Sequence, residues 1–133
     1  MSNKKEKNQQ ELIFKFQMLE QQIQGIRQQM QAIENAVIEM ESLNINLEEL
    51  KGKKDTEIRA SIGKGIFVKA KLLSEELLVD VGGKNLVVKS ISDTQKIISK
   101  QVKKLEEVKK ELEKTMEEIN KDLTKTMLEY QKN

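Results

Sequence analysis

The residues of this chain that could do chemistry lie in two short glycine-lysine turns and in a few carboxylates near them. The turns are Gly63-Lys64-Gly65 and Gly82-Gly83-Lys84, and the carboxylates are Glu75, Glu76 and Asp80. A phosphate-binding loop needs a longer glycine-spaced turn, with its lysine followed by Ser or Thr and then by a helix. Here glycine or asparagine follows the lysine, and both turns lead into strand-like sequence. We therefore expect no nucleotide to bind at these turns.

The chain contains neither cysteine nor histidine. This composition removes disulfide bonds, thiol nucleophiles, Cys/His zinc sites and the most common general base. The carboxylates near the turns have no neighbour that titrates near neutral pH, so they are expected to be solvated. The sequence therefore predicts a protein that is not an enzyme and that carries no cofactor and no metal ion.

The overall composition predicts one domain, residues 1–133, without a large globular core. Of the 133 residues, 35% are charged and only 3% are aromatic, and proline is absent, which suits long uninterrupted helices. No apolar run approaches the roughly 20 residues that span a bilayer, and the polar start MSNKKEKNQQ lacks the hydrophobic region of a secretory signal. The net charge of +2 is too small for a dedicated nucleic-acid binder. A soluble cytoplasmic protein without membrane or nucleic-acid partners is expected.

Two long segments, about residues 10–51 and 91–131, carry apolar residues at heptad spacing, which predicts two long helices. The first seam runs from Leu12 to Leu47 and the second from Ile91 to Tyr130. The seam positions are Phe16, Ile23, Met30, Val37 and Asn44 (a) and Leu19, Ile26, Ile33, Met40 and Leu47 (d) in the first helix, and Val102, Lys109, Met116, Leu123 and Tyr130 (a) and Ile98, Leu105, Leu112, Ile119 and Thr126 (d) in the second.

Folding the chain back on itself brings every a position of one helix opposite a d position of the other. In this register Leu19 lies opposite Leu123 and Ile23 lies opposite Ile119, so the pattern predicts an antiparallel coiled coil within one chain. Polar seam residues then form separate layers, which lower stability but fix the register. The polar seam residues are Asn44, Gln95, Lys109 and Thr126.

The segment between the helices, about residues 55–89, alternates apolar and polar residues and predicts two consecutive β-hairpins. The strands are expected at about 56–62, 66–72, 77–81 and 85–89. Four short strands cannot cover their own edges, and exposed edges recruit other chains. We therefore expect this segment to drive assembly through its apolar side chains, which are Ile58, Ile66, Val68, Leu77, Val79, Val81, Leu86 and Val88.

The stretches GKGIFVKAKL and LLVDVGGKNLVVKS, between two heptad helices, resemble the alpha subunit of archaeal prefoldin. The resemblance implies an α+β fold, mainly α: a long antiparallel helical-hairpin coiled coil with two central β-hairpins that assemble into an inter-subunit β-barrel. It also implies a hexamer of two alpha-type and four beta-type subunits. Its implied function is that of an ATP-independent chaperone, which captures unfolded polypeptides at the coiled-coil tips and delivers them to a group II chaperonin.

Four apolar residues lie off the seam at the end of the coil that holds both chain termini: Ile13, Phe14, Met127 and Leu128. Methionine and aromatic side chains suit the binding of many different partners, so these four are the candidate client-binding residues. Frayed helix ends, or packing of Phe14 on a neighbouring coil, would also account for them.

Two other functions remain open. A structural coiled-coil adaptor or scaffold without holdase activity would need the same helices but no apolar tips. Nucleic-acid binding would use the basic residues of the hairpin segment, which are Lys53, Lys54, Arg59, Lys64, Lys69 and Lys71.

Overall fold

The computed structural model describes residues 2–132, residue 2 by its backbone only, and it contains two long helices with four short strands between them. This confirms the α+β, mainly helical fold with two antiparallel hairpins. The first helix begins near residue 2 rather than near residue 10, because the early Lys, Glu and Gln residues are good helix formers. The elements are α1 (Ser2–Leu50), β1 (Glu57–Gly63), β2 (Ile66–Lys71), β3 (Leu77–Asp80), β4 (Leu86–Lys89) and α2 (Ile91–Lys132).

The chain divides into two compact units. The hairpin unit, Ile38–Lys103, contains the four strands and the helix ends that flank them. The coil unit combines the described residues of α1 up to Val37 with those of α2 from Lys104 onward.

In the coil unit the seam positions of both helices, apart from Tyr130, are buried or half-buried. Leu19 and Ile23 are buried, and the a and d residues around them are half-buried. Thr126 is the most buried side chain of the unit, at 2% exposed, and its hydroxyl donates a hydrogen bond to the Asp122 carbonyl at 2.8 Å. A polar residue can therefore occupy this seam position without leaving its hydroxyl unsatisfied.

Contacts between the helices agree with the predicted register. Lys109, predicted opposite Ile33, binds the adjacent Glu34, with 2.9 Å between Nζ and Oε1. This hydrogen bond, and then the charge of Glu34, raises the pKa of Lys109. The ammonium reaches water while the side chain lies over the seam, which is how lysine is tolerated at an a position.

The polar layer of the hairpin unit also forms close to its predicted place. Asn44 Nδ2 donates to Ser99 Oγ at 3.3 Å, and Gln95 Nε2 contacts both the Asn44 carbonyl at 3.3 Å and Glu48 Oε2 at 2.9 Å. The hydrogen bond from Gln95, and next the hydrogen bond and charge of Lys51, lower the pKa of Glu48. The buried Asn44 Oδ1 has no protein partner. These contacts tie α1 to α2 beside the strands.

The core of the hairpin unit joins helices and sheet. Leu47, Ile91 and Ile98 form its buried cluster, against which Leu77 of β3 packs. Ser90 caps α2, because its Oγ accepts a hydrogen bond from the Asp93 N–H at 3.1 Å. The second hairpin is therefore held against the base of both helices.

Both predicted turns are present and require left-handed backbone. Lys64 has a φ of 48° and Lys84 a φ of 64°, and each lies beside glycines that also have positive φ. β1 pairs with β2 and β3 pairs with β4, and the two sheets are separate. Each strand in the described chain therefore has one edge without a strand neighbour.

Gly25, in the middle of α1, offers a test of the helix. It lies at an outward c position, and a Cβ added there would meet nothing within 4 Å. We expect Gly25→Ala to raise the free energy of unfolding by about 0.5–1 kcal/mol, because alanine loses less backbone entropy than glycine on folding. Urea unfolding followed by circular dichroism measures the change.

Gly83→Ala is the matched control for Gly25→Ala. Gly83 has a φ of 61°, so alanine there is strained and should lower the unfolding midpoint. An unchanged or lower midpoint in Gly25→Ala would contradict the view that this glycine has no structural role in the helix.

Candidate functional site

An apolar groove of about 430 Å³ lies in the coil unit. It follows the e positions of both helices, which neighbour each other along one flank of an antiparallel seam. The e residues in its lining are Ile13 and Glu20 on α1 and Met127 on α2. The complete lining is Leu12, Ile13, Phe16, Gln17, Glu20, Thr126, Met127, Tyr130 and Gln131.

The interior of the groove offers little for a polar ligand. Its most buried lining residue, Thr126, already uses its hydroxyl to hydrogen-bond within α2. The ion pair of Lys15 with Asp122, 3.4 Å apart, joins g positions on the opposite flank of the seam. The groove is therefore suited to apolar side chains, while Gln17, Glu20 and Gln131 supply polar groups to its lining.

The structure brings together two of the four predicted client-binding residues. Ile13 and Met127 line the groove, whereas Phe14 and Leu128 occupy f positions outside its lining and are 64% and 54% exposed. All four are exposed, as their off-seam positions predict. Their role in client binding stays a prediction.

Sequence reasoning missed two exposed residues near this end of the coil. Tyr130 was assigned to the seam, but it is exposed and lines the groove instead. Met18 is also exposed, four residues after Phe14 on the same face of α1. The pairing of e positions in an antiparallel coil was the signal that could have identified the groove.

A second candidate site is the apolar surface of the hairpins. In the second hairpin, Leu78 lies opposite Val88 and Asp80 lies opposite Leu86, so these four side chains share one face. We call this the outer face, because Leu78, Leu86 and Val88 are all well exposed. The other face carries Leu77, which packs on the helix core.

The eight predicted assembly residues therefore do not share one surface. Leu77 and Val79 are half-buried on the face that packs on the helices, while Leu86 and Val88 lie on the outer face. Val81 is exposed beyond the end of β3, where its N–H donates to the Asn85 carbonyl at 3.0 Å.

The remaining three predicted assembly residues are in the first hairpin. Ile66 and Val68 are exposed, and Ile58 is half-buried. Ile58 pairs with Ala70 and Ala60 with Val68, which makes one face apolar. The opposite face pairs Glu57 with Lys71 and Arg59 with Lys69, so it is charged except near the turn, where the exposed Phe67 lies opposite Ser61.

Two of the three carboxylates near the turns accept hydrogen bonds from the main chain. Glu75 Oε1 accepts a hydrogen bond from the Gly52 N–H at 2.7 Å, and Asp80 Oδ1 accepts one from the Gly82 N–H at 2.9 Å. Among residues 2–132, no cluster of three acidic, histidine or cysteine side chains is arranged to hold a metal ion. Over the same residues, neither helix has an apolar stretch long enough to cross a membrane.

Comparison with known proteins relates most of the chain to one protein family and to solved structures. The family model described as Prefoldin subunit matches residues 19–133. The fold is similar to a chain of the cryo-EM structure of filamentous PFD from Methanocaldococcus jannaschii, with a TM-score of 0.76 and 19% identity over 86% of this chain and 97% of that one. No curated protein sequence is significantly similar to the chain.

Proposed function

The chain belongs to the prefoldin family, and on that premise we propose that it is a subunit of an ATP-independent chaperone that captures unfolded polypeptides at the end of its coiled coil. Family membership supports a chaperone-type, non-enzymatic function. The main support for the proposed client-binding site is the open groove between Ile13 and Met127. Unfolded chains expose apolar side chains. Moving such side chains from water into an apolar groove of this kind lowers the free energy of the system.

We propose assembly through the hairpins. Their strands have edges without strand neighbours, and the outer face of the second hairpin exposes Leu78, Leu86 and Val88. Pairing with strands of other subunits would satisfy these edges and form an inter-subunit β-barrel. Each groove is small, so useful affinity for a client requires several subunits to act together.

The finer assignments follow from the resemblance of residues 63–90 to the alpha subunit of archaeal prefoldin. They are an archaeal, cytoplasmic hexamer with two alpha-type and four beta-type subunits, and delivery of the client to a group II chaperonin. The fold similarity to filamentous PFD from Methanocaldococcus jannaschii makes a larger assembly through the same hairpins a competing arrangement. The mass of the purified assembly distinguishes the two.

An aggregation assay tests the proposed function. A chemically denatured protein of unrelated sequence is diluted into buffer with or without the purified chain assembled with beta-type subunits, and light scattering is followed. We expect scattering to fall in proportion to the amount of chain and to be unaffected by ATP. Serum albumin at equal mass is the control. Scattering equal to that of the albumin sample would identify the chain as a structural adaptor instead.

A further inference from the structure

The methionines of the chain differ sharply in exposure. Met18 and Met127 are each 46% exposed, whereas Met30, Met40 and Met116 are half-buried along the seam. The chain has no cysteine, so its thioethers are the only sulfur groups that an oxidant can reach. The rate at which a thioether is oxidised depends on its exposure.

Of the two methionines that are exposed among residues 3–132, only Met127 lines the apolar groove, beside Ile13 and Tyr130. We propose that Met127 is a modification site, at which oxidation to the sulfoxide by a peroxide weakens the hold of the groove on unfolded chains. This inference rests on the proposed function, since it describes the regulation of the same groove.

The chemistry needs only the thioether and hydrogen peroxide. The sulfur lone pair attacks one peroxide oxygen, an S–O bond forms and the O–O bond breaks, and the second oxygen leaves as water after a proton transfer. Sulfur loses two electrons and the peroxide gains them. The product is a polar, chiral side chain in place of a flexible apolar one, and methionine sulfoxide reductase reverses the change.

The position of Met127 allows this change without unfolding. It occupies an e position, outside the seam, and its neighbour Thr126 supplies the buried contact at that level of the coil. The sulfoxide dipole can point to water. Oxidation therefore makes the groove less apolar but does not weaken the pairing of the two helices. Oxidation at Met30 or Met116 would instead place a polar group on the seam.

The test uses the purified full chain in its assembled state, treated with hydrogen peroxide. Mass spectrometry of peptides locates each added oxygen, and circular dichroism confirms that the helices remain. Among the methionines that the structure describes, we expect oxygen to appear first at Met18 and Met127. We also expect a several-fold loss of aggregation suppression, which the two methionine sulfoxide reductases restore together, because each reduces one sulfoxide epimer.

Two variants locate the effect, each compared with its own untreated sample. Met127→Leu has no thioether in the groove, so peroxide should change its aggregation suppression little. Met18→Leu removes the exposed thioether outside the groove and should still lose suppression on treatment. Equal losses in Met127→Leu and the unchanged chain would overturn the proposal. An untreated chain that suppresses no aggregation would refute the proposed function itself, so the two failures are distinguishable.

Discussion

Replacing Leu86 and Val88 together by aspartate should reduce the assembly to isolated subunits. Both side chains are exposed on the outer face of the second hairpin. Covering two carboxylates there with another subunit would cost several kcal/mol for each unpaired charge, which weakens association by about a thousandfold or more. The core of the subunit uses the opposite face, through Leu77, so the helices should persist. Native mass spectrometry and circular dichroism measure the two effects.

The control for this variant carries the same two added charges in loops. Leu73→Asp with Asn85→Asp changes two positions outside the strands and should leave the assembly largely intact. An intact oligomer in Leu86→Asp/Val88→Asp would show that the outer face is not the assembly surface. Loss of helical signal in that variant would show that the face stabilises the subunit itself.

Replacing Ile13 and Met127 together by aspartate should abolish most aggregation suppression while sparing the fold. Each apolar contact with a client contributes about 1–2 kcal/mol, and the loss multiplies across the subunits that hold one client. Both residues are off the seam and about half-exposed, so the unfolding midpoint should change little. Light scattering with a denatured client and thermal unfolding provide the two measurements.

Phe14→Asp with Leu128→Asp is the matched control for the groove. These residues lie at the same end of the helices and are more exposed, but they do not line the groove. Retained suppression in this pair, with loss in the Ile13/Met127 pair, assigns capture to the groove. The reverse result would assign client binding to the outward f positions. Equal losses in both pairs would show that client binding depends on exposed apolar surface and not on the shape of the groove.

The helical part of the fold was predictable because a seven-residue pattern uses the same few positions repeatedly. Buried Leu19 and Ile23 and the contact between Glu34 and Lys109 all follow from the predicted seam. Tyr130 does not, because it is exposed beside the groove although its spacing continues the heptad. Periodicity assigns a residue to a face but does not show whether the partner helix still covers that face.

The faces of the second hairpin were harder to predict. Alternation places Leu77 with Val79 and Leu86 with Val88, but it does not show whether the two pairs share a side. The turn decides this, because its length sets which residue lies opposite which. The observed pairing of Leu78 with Val88 separates the predicted assembly residues onto two faces. No pattern within the single strands carries that information.

The polar contacts around Asn44 also bear on how the chain is made. A ribosome adding about 5–20 residues per second completes α1 well before α2, so the seam of α1 emerges with no helix to pair with. Another nascent α1 could occupy that seam, but it would not supply Ser99, to which Asn44 Nδ2 donates, or Gln95, which donates to the Asn44 main-chain carbonyl. Losing the hydrogen bond from Asn44 Nδ2 to Ser99 costs about 0.5–1.5 kcal/mol. These polar contacts therefore stabilise the pairing of α1 with α2 of the same chain relative to its pairing with α1 of another chain on the same polysome.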